Sequence, residues 1–161
     1  NEFNISLKII YDLFDGIDSD IKDEVKLNSK KELLVYSYRV AGTVGLMMAK
    51  ILEVNKKNSL KSAIDLGIAM QLTNISRDIK EDLEQKRIYF PQTLRSKKNY
   101  HFSEILTNKL LQKEFSRNLE TLLKIADEIY KISWNGIIKL PFRYKLPVHI
   151  TVLLLFVVCA V

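Results

Sequence analysis

Asp78 and Asp82 stand four residues apart in the run QLTNISRDIKED, residues 71–82. On a helix turning about 100° per residue, with Gln71 at zero, Asn74 falls at about 300°, Asp78 at about 340° and Asp82 at about 20°. Four oxygen-bearing side chains thus form one stripe, and Gly67 continues that face backward. Two aspartates and an asparagine there, with no lysine or arginine in the stripe, repel one another unless a cation sits among them. Hard divalent cations take oxygen ligands, and Mg²⁺ keeps waters and shares the phosphate oxygens of a substrate. Arg77, at about 240°, borders the stripe, where it can neutralise phosphate charge. A second reading of the same residues is a solvated helix end, with Asp78, Glu81, Asp82 and Glu84 facing Lys80, Lys86 and Arg87 as i,i+4 partners. The apolar run into the motif, with Gln71 and Asn74 on the same stripe, favours the metal reading.

The elements that must carry this stripe read as helices. Apolar residues in 2–14 fit a helix, and residues 12–24 are acid-rich, with Gly16 as a break or turn. Ser29 with Glu32 makes a capping-box pattern that opens a helix to about Val54. Its interior, LLVYSYRVAGTVGLMMAKIL, is apolar on nearly every side and is expected at the centre of a bundle. Ala41 and Gly45 give it a small-residue face that another helix or a flat ligand can approach. Residues 55–58 form a polar turn. A third helix, 59–85, carries the stripe and is expected to be buried at its N-terminal end. Residues 86–92 leave that helix, with Pro91 as the stop, and a loop follows over 93–100. Ser103 and Glu104 open an amphipathic helix to about Trp134, with a stripe through Leu110, Phe115, Leu122 and Ala126, ended by Asn135-Gly136. Pro141 and Pro147 frame a connector into an apolar tail, 148–161.

The composition narrows the classes. A chain of 161 residues with 47% hydrophobic and 27% charged residues suits one globular domain. Five Gly and three Pro are too few for a protein of many short strands, so the fold class is all-α. The net charge of +6 comes from scattered lysines that alternate with acids and are not interleaved with aromatics, which argues against a nucleic-acid surface. The single cysteine, Cys159, excludes an intrachain disulfide and a thiolate cluster, and fits a reducing, cytoplasmic setting. No signal peptide pattern opens the chain, which begins at Asn1 in what reads as mid-helix; a fragment is expected.

Two blocks, in this order and separation, carry a resemblance. YSYRVAGTVG (36–45) is similar to the tyrosine-rich signature of squalene and phytoene synthases, and AIDLGIAMQLTNISRDIKEDLEQKRIYFPQ (63–92) resembles the bacterial phytoene synthase form, through its RIYFPQ tail. Weaker similarity runs from about residue 8 to residue 147. The resemblance implies an all-α isoprenoid-synthase bundle, with residues 1–161 as a single partial domain incomplete at its N-terminus. It implies Mg²⁺-dependent head-to-head condensation of two prenyl diphosphates through a cyclopropyl intermediate. The favoured substrates are two geranylgeranyl diphosphates, giving phytoene in carotenoid biosynthesis. Farnesyl diphosphate in a squalene or dehydrosqualene synthase is the alternative. Mn²⁺ could replace Mg²⁺, and NADPH is not expected for a phytoene synthase.

The resemblance also assigns residues. Asp78 and Asp82 match the second aspartate motif, Asn74 a further metal ligand, and Gln71 and Arg77 residues of the diphosphate region. Tyr36 would wall a dry cavity and stabilise cation charge. Val40, Val44 and Met47, on the same helix side, would flank the prenyl chains, and Arg87 would reach a phosphate. Tyr89 and Phe90 read equally as lid packing, and Thr43 has no assigned role. Chain length would follow from cavity depth, a property of the fold and not of a motif.

Two departures stand against the pattern. The first aspartate motif belongs on an earlier helix, and the run FDGIDSDIKDEV (14–25) is not identified with it, although Asp12, Asp15, Asp18, Asp20 and Asp23 lie in or beside it. The tail TVLLLFVVCAV stands where a helix bearing tyrosine and arginine is expected. It reads as a frameshifted or truncated end, a buried last helix or a membrane-touching segment, and is short for a span. His101 and His149 read as surface or connector residues. A rival from another class is an inactive helical remnant that binds Mg²⁺–diphosphate weakly or serves as an interaction partner. The expected partners are prenyl diphosphates, with peripheral membrane contact for an apolar product.

Overall fold

The computed structural model describes residues 2–94, 102–105 and 107–138. Residues 95–100 of the loop expected over 93–100, His101, the proline connector, His149, Cys159 and the apolar tail lie outside the described residues. The chain runs through α1 (Leu7–Asp20), β1 (Val25–Lys26), α2 (Lys30–Ser37), α3 (Thr43–Ile51), α4 (Lys57–Arg77), α5 (Ile79–Glu84), β2 (Arg87–Ile88), α6 (Phe102–Ile105) and α7 (Lys109–Ile137). A π-helical turn, Tyr38–Gly42, joins α2 to α3. The helical class holds, with one addition: β1 and β2 pair in parallel, Val25 with Arg87 and Lys26 with Ile88. Among the described residues no helix is long and apolar enough to cross a membrane.

Local chemistry explains most of the ends. The Ser29 hydroxyl accepts from the Glu32 N–H at 3.1 Å, and Glu32 reaches back to the Asn28 N–H at 2.9 Å, one residue before the cap. Asn108 Oδ1 accepts from the Leu110 and Leu111 N–H groups at 3.0 and 3.3 Å, so α7 begins there and α6 is a separate short turn. Lys86 has φ of 59°, the left-handed step that takes the chain out of α5 into β2. Leu110, counted in the apolar stripe of α7, is exposed in the first turn of that helix.

Two expected breaks are instead contact points. Gly16 is buried inside α1, where a Cβ would lie 2.8 Å from Val40 Cγ1 and 2.9 Å from Arg39 Cβ. Gly136 does not end α7; a Cβ there would strike the Ser62 side chain. Both glycines let helices cross closely. Conversely, two helices expected to be continuous are interrupted. The helix from Ser29 contains the π turn, in which the Thr43 N–H bonds Tyr38 O and the Thr43 hydroxyl donates to Arg39 O at 2.6 Å. Thr43 therefore has a role, holding the widened turn. The stripe-bearing helix breaks at Asp78, whose φ and ψ are −93° and 10°. Bonds from Asp78 N–H to Asn74 O and from Asp82 N–H to Asp78 O bridge the break, both at 2.9 Å.

The core gathers Leu33, Leu72, Phe90, Phe115 and Leu122 around α4, which packs along α7 as its main neighbour. Phe90 meets Phe115 edge-on at 5.1 Å. Burial on α4 falls ahead of the aspartates, as expected, at Ser59, Gly67, Ala69, Leu72, Thr73 and Ile75. Positions of α4 from Ser59 to Asn74 also line a cavity. On its other side α4 meets the segment from the π turn into α3, and small residues set the spacing. A Cβ at Gly67 would strike the Ala41 carbonyl oxygen and lie 2.8 Å from its carbon; one at Gly45 would strike Ala63 O. A methyl there must displace backbone, costing about 1–3 kcal/mol, against a helix-propensity gain of up to about 1 kcal/mol. Gly67→Ala is expected to lose about 1–2 kcal/mol in urea unfolding. Gly42→Ala, whose nearest neighbours are side-chain carbons at 3.1–3.4 Å, should lose less. A Gly67→Ala protein as stable as wild type would show that the helices do not meet there.

Candidate active site

Asn74 and Gln71 occupy the last turns of α4, half-buried, and both line the apolar cavity. The cavity has a volume of about 320 Å³, within the range of small-molecule sites. Its walls come from the π turn and α3 on one side, α4 on the other and the end of α7 below, and among the described residues no charged side chain lines it. Val40 and Val44 are on the wall, as expected. Met48 takes the place expected for Met47, because the π turn adds a residue to the register. Tyr36 is not on this wall.

Tyr36 is buried elsewhere, in a cluster that sequence spacing did not assemble. Its hydroxyl donates to Asp20 Oδ2 at 3.0 Å, and the Tyr89 hydroxyl donates to Asp20 Oδ1 at 2.8 Å. The two rings stack at 4.8 Å with 22° between their planes. Burial, chiefly, pushes the Tyr89 phenol up to about 12 and the Tyr36 phenol upward as well, so both remain donors. Arg87 Nη2 donates to the Asp20 carbonyl at 3.4 Å. Asp20 thus ties α1, α2 and the RIYFP segment together. Two further acids of α1 act alike: Asp12 accepts from the Tyr38 hydroxyl at 3.1 Å, and Asp15 pairs with Arg39 at 3.1 Å. The signal was present in the sequence as an acid run facing a YSYR run, but their pairing across 16 to 26 residues is tertiary.

Asp78 and Asp82 straddle the break between α4 and α5. Arg77 forks onto Asp78, with Nε and Nη2 each 2.7 Å from a carboxylate oxygen. The expectation of a stripe without a cation is therefore corrected for Asp78. The pair is about 40% exposed on the Arg77 side, so it adds about 0–1 kcal/mol and exchanges readily. Asp82 is treated differently. It lines a small cleft with Arg87 and Tyr89, and burial, then the Asp78 charge, push its carboxyl up to about 6; Arg87 offsets this in part. Among the described residues no three His, Cys, Asp or Glu side chains gather closely enough to hold a metal ion. The expected set is two carboxylates and an amide, which suits a cation whose remaining ligands are water and phosphate oxygens. An acid whose charge is disfavoured by burial and by a neighbouring carboxylate is a fit for such a cation.

The sequence profile of squalene/phytoene synthases matches residues 1–156. The chain belongs to the squalene/phytoene synthase family. It is 38% identical over 133 residues to a 15-cis-phytoene synthase of Enterobacter agglomerans, covering 83% of this chain and 44% of that protein. It is 54% identical over 70 residues to a phytoene synthase of Thermus thermophilus, covering 44% of this chain and 24% of that one. The chain thus spans less than half the length of these relatives. Among solved structures, a dehydrosqualene synthase in complex with ligand superposes with a TM-score of 0.73 at 31% identity, over 86% of this chain and 48% of that one. A squalene synthase from Alicyclobacillus acidocaldarius superposes at 0.84, with 16% identity, over 99% of this chain and 60% of that one, and supports the fold. Both agree with an all-α isoprenoid-synthase bundle.

Two measurements test this geometry. Asp82 has a folded-state pKa above its unfolded value, so its favourable contribution is complete below about 4 and lost as pH rises through about 6. In metal-free buffer, Asp82→Asn should match wild-type melting at pH 4 and melt higher at pH 8; a difference independent of pH would refute the repulsion. Asp20→Ala takes the carboxylate acceptor from two buried hydroxyls and should cost about 2–4 kcal/mol. Asp20→Asn keeps one acceptor and should cost less than half of that in the same chemical denaturation.

Proposed function

We propose that this chain contributes the second-aspartate wall of a Mg²⁺-dependent synthase that condenses two prenyl diphosphates head to head. The favoured substrates are two geranylgeranyl diphosphates and the product is phytoene. One observation carries the reading: Gln71 and Asn74 sit at once on the wall of an apolar cavity and on the helix face that leads into Asp78 and Asp82. An apolar chain and an anionic head can therefore lie end to end on one helix. We take residues 1–161 as part of a single isoprenoid-synthase domain.

Asp78, Asp82 and Asn74 would hold Mg²⁺, or Mn²⁺ in its place, which would neutralise the diphosphate as it leaves. Arg77 exchanges Asp78 for a phosphate oxygen, a low-cost exchange for an exposed pair. Arg87 on β2 lines the same small cleft as Asp82 and offers a second cation to the head group. Val40 and Val44 keep water from the chain and so protect a carbocation from quenching. Tyr36 acts at a distance: stacked on Tyr89 and bonded to Asp20, it keeps the RIYFP segment against Asp82. No reductant is needed for a phytoene-type product, so NADPH is not part of the reading. Release of an apolar product suits a cytoplasmic protein that touches the membrane peripherally.

Product analysis with geranylgeranyl or farnesyl diphosphate and Mg²⁺ tests the reading, in this chain and in a protein of the relatives' full length that contains it. A forty-carbon product from the twenty-carbon substrate is expected, and a thirty-carbon product alone would favour the squalene-type alternative. Asp78→Ala in the active form should lower kcat at least about 10³-fold, the scale of losing a group that stabilises the transition state. Retained turnover in that variant would sink the metal assignment, and diphosphate binding without product in either length would favour an inactive remnant.

A further inference from the structure

Asp20 closes α1, yet it holds residues 67 and 69 positions further along the chain. Resting on the reading of Asp78 and Asp82 as a cation–diphosphate wall, we infer that Asp20 is a positioning residue for that wall: it fixes β2 so that Arg87 stands in one cleft with Asp82. Its carboxylate accepts from the Tyr89 hydroxyl at 2.8 Å, a short bond to a charged group. Its main-chain carbonyl accepts from Arg87 Nη2 at 3.4 Å, a long one. Arg87 and Tyr89 are two apart in extended chain, so their side chains leave it on one face, and both line the cleft that holds Asp82. Tyr89 is buried and stacked on Tyr36, whose hydroxyl is bonded to the same carboxylate. Moving Tyr89 would open that stack. Arg87 is half-buried and lightly held, so its guanidinium can swing while its backbone stays. That backbone is fixed from the other side by Val25 on β1, five residues after Asp20. Residues 20–25 therefore clasp β2 at both ends, and a diphosphate drawing the Arg87 guanidinium forward would not draw the strand with it.

Asp20 acts on Asp82 in two ways, and their sizes differ. Its charge pushes the Asp82 carboxyl up, but more weakly than burial, Asp78 and Glu81 do. Arg87 pulls that carboxyl down, and outweighs Asp20. Charge interactions grow as separation shrinks, so the placing of Arg87 is the stronger lever. Asp20 holds that lever through Tyr89, and a neutral partner can do the same. An asparagine in its place accepts from one phenol and donates to the other, so the hold survives the loss of charge. Asp15, on the same helix, carries the same charge but ties α1 to Arg39. It separates a general fastening of α1 from the placing of β2.

Binding of inorganic diphosphate in excess Mg²⁺, titrated by calorimetry on the chain itself, tests the role without requiring turnover, with circular dichroism as a control for folding. Wild type is expected to bind, and Asp82→Asn to lose that binding. Asp20→Ala should bind about 10–100-fold more weakly, the scale of removing a group that orients a metal site without touching the metal. Asp20→Asn should stay within about 3-fold of wild type, since an acceptor remains. Asp15→Ala should stay within about 2-fold, although it too loosens α1. Tyr89→Phe should weaken binding as Asp20→Ala does, and the double variant no further, because the two act through one bond. If Asp20→Ala does not fold, Tyr89→Phe and Asp20→Asn decide. Wild-type affinity in Asp20→Ala or Tyr89→Phe, Asp20→Asn as weak as Asp20→Ala, or an equal loss in Asp15→Ala overturns the positioning role while the cation–diphosphate reading stands. A wild type that does not bind, or that binds regardless of Asp82, overturns both.

Discussion

The arrangement depends on a contact between two backbones. Gly67 of α4 lies against the carbonyl of Ala41, and Gly45 lies against the carbonyl of Ala63. Side chains at these four positions are absent or a single methyl, so the helices meet closer than the usual 8–10 Å spacing allows for larger residues. The contact fixes the antiparallel register of α3 and α4, because sliding either helix by one turn would drive a side chain into a carbonyl. Cavities are rare in close-packed interiors. This one is lined by the contact residues Ala41, Gly45, Ala63 and Gly67 together with Val44, Leu66 and Met70 beside them.

Both irregularities of the helices lie on this frame. The π turn at Tyr38–Gly42 advances the register of α3 by one residue, which turns Val40, Val44 and Met48 to a common wall. Without it, the i, i+4, i+8 set would drift around the helix. The break at Asp78 comes where α4 leaves the core, after Ile75, and redirects α5 so that Asp82 faces Arg87 and Tyr89 instead of continuing straight into solvent. Neither feature is a failure of helix propensity. Each is held by named bonds, the Thr43 hydroxyl on Arg39 O in one case and the Asp78 and Asp82 amides in the other. Such departures from ideal geometry concentrate where a surface has to be aimed.

What the sequence disclosed follows the range of the interactions. The placing of Gln71 and Asn74 on one face was legible because both lie within one helical stretch, and so was the Ser29 cap, a contact across three residues; the break at Asp78, ahead of Asp82, was not. Val40 and Val44 were legible for the same reason, but Met47 was named where Met48 lies, since period counting assumes 3.6 residues per turn through a turn that has more. Gly16 and Gly136 were read as breaks because glycine in isolation breaks helices. Their tertiary use, allowing helices to cross, leaves the same residue type in the sequence. Asp20 was the principal loss. As one of five acids in a short run it carries no local mark, and only its placement against Tyr36 and Tyr89 distinguishes it.

The comparison of Asp20 with Asp82 shows how one fold gives two carboxylates opposite fates. Asp20 accepts from two phenols that burial keeps protonated, so its charge is met by neutral donors and the group becomes a fastener. Asp82, across Arg87 and Tyr89, has no such donors among the described residues and feels Asp78, Glu81 and Asp20 instead. Its charge is therefore unfavourable in the protein alone and favourable once a cation is shared. The same segment, RIYFP, serves both: Tyr89 closes the fastener and Arg87 borders the charged pair. Loosening the first would move the second, because residues 87–90 form one short strand and its continuation, pinned to β1 by backbone bonds at 3.0 and 3.4 Å. The fastener is thus the means by which an electrostatically costly pair of carboxylates is kept in place.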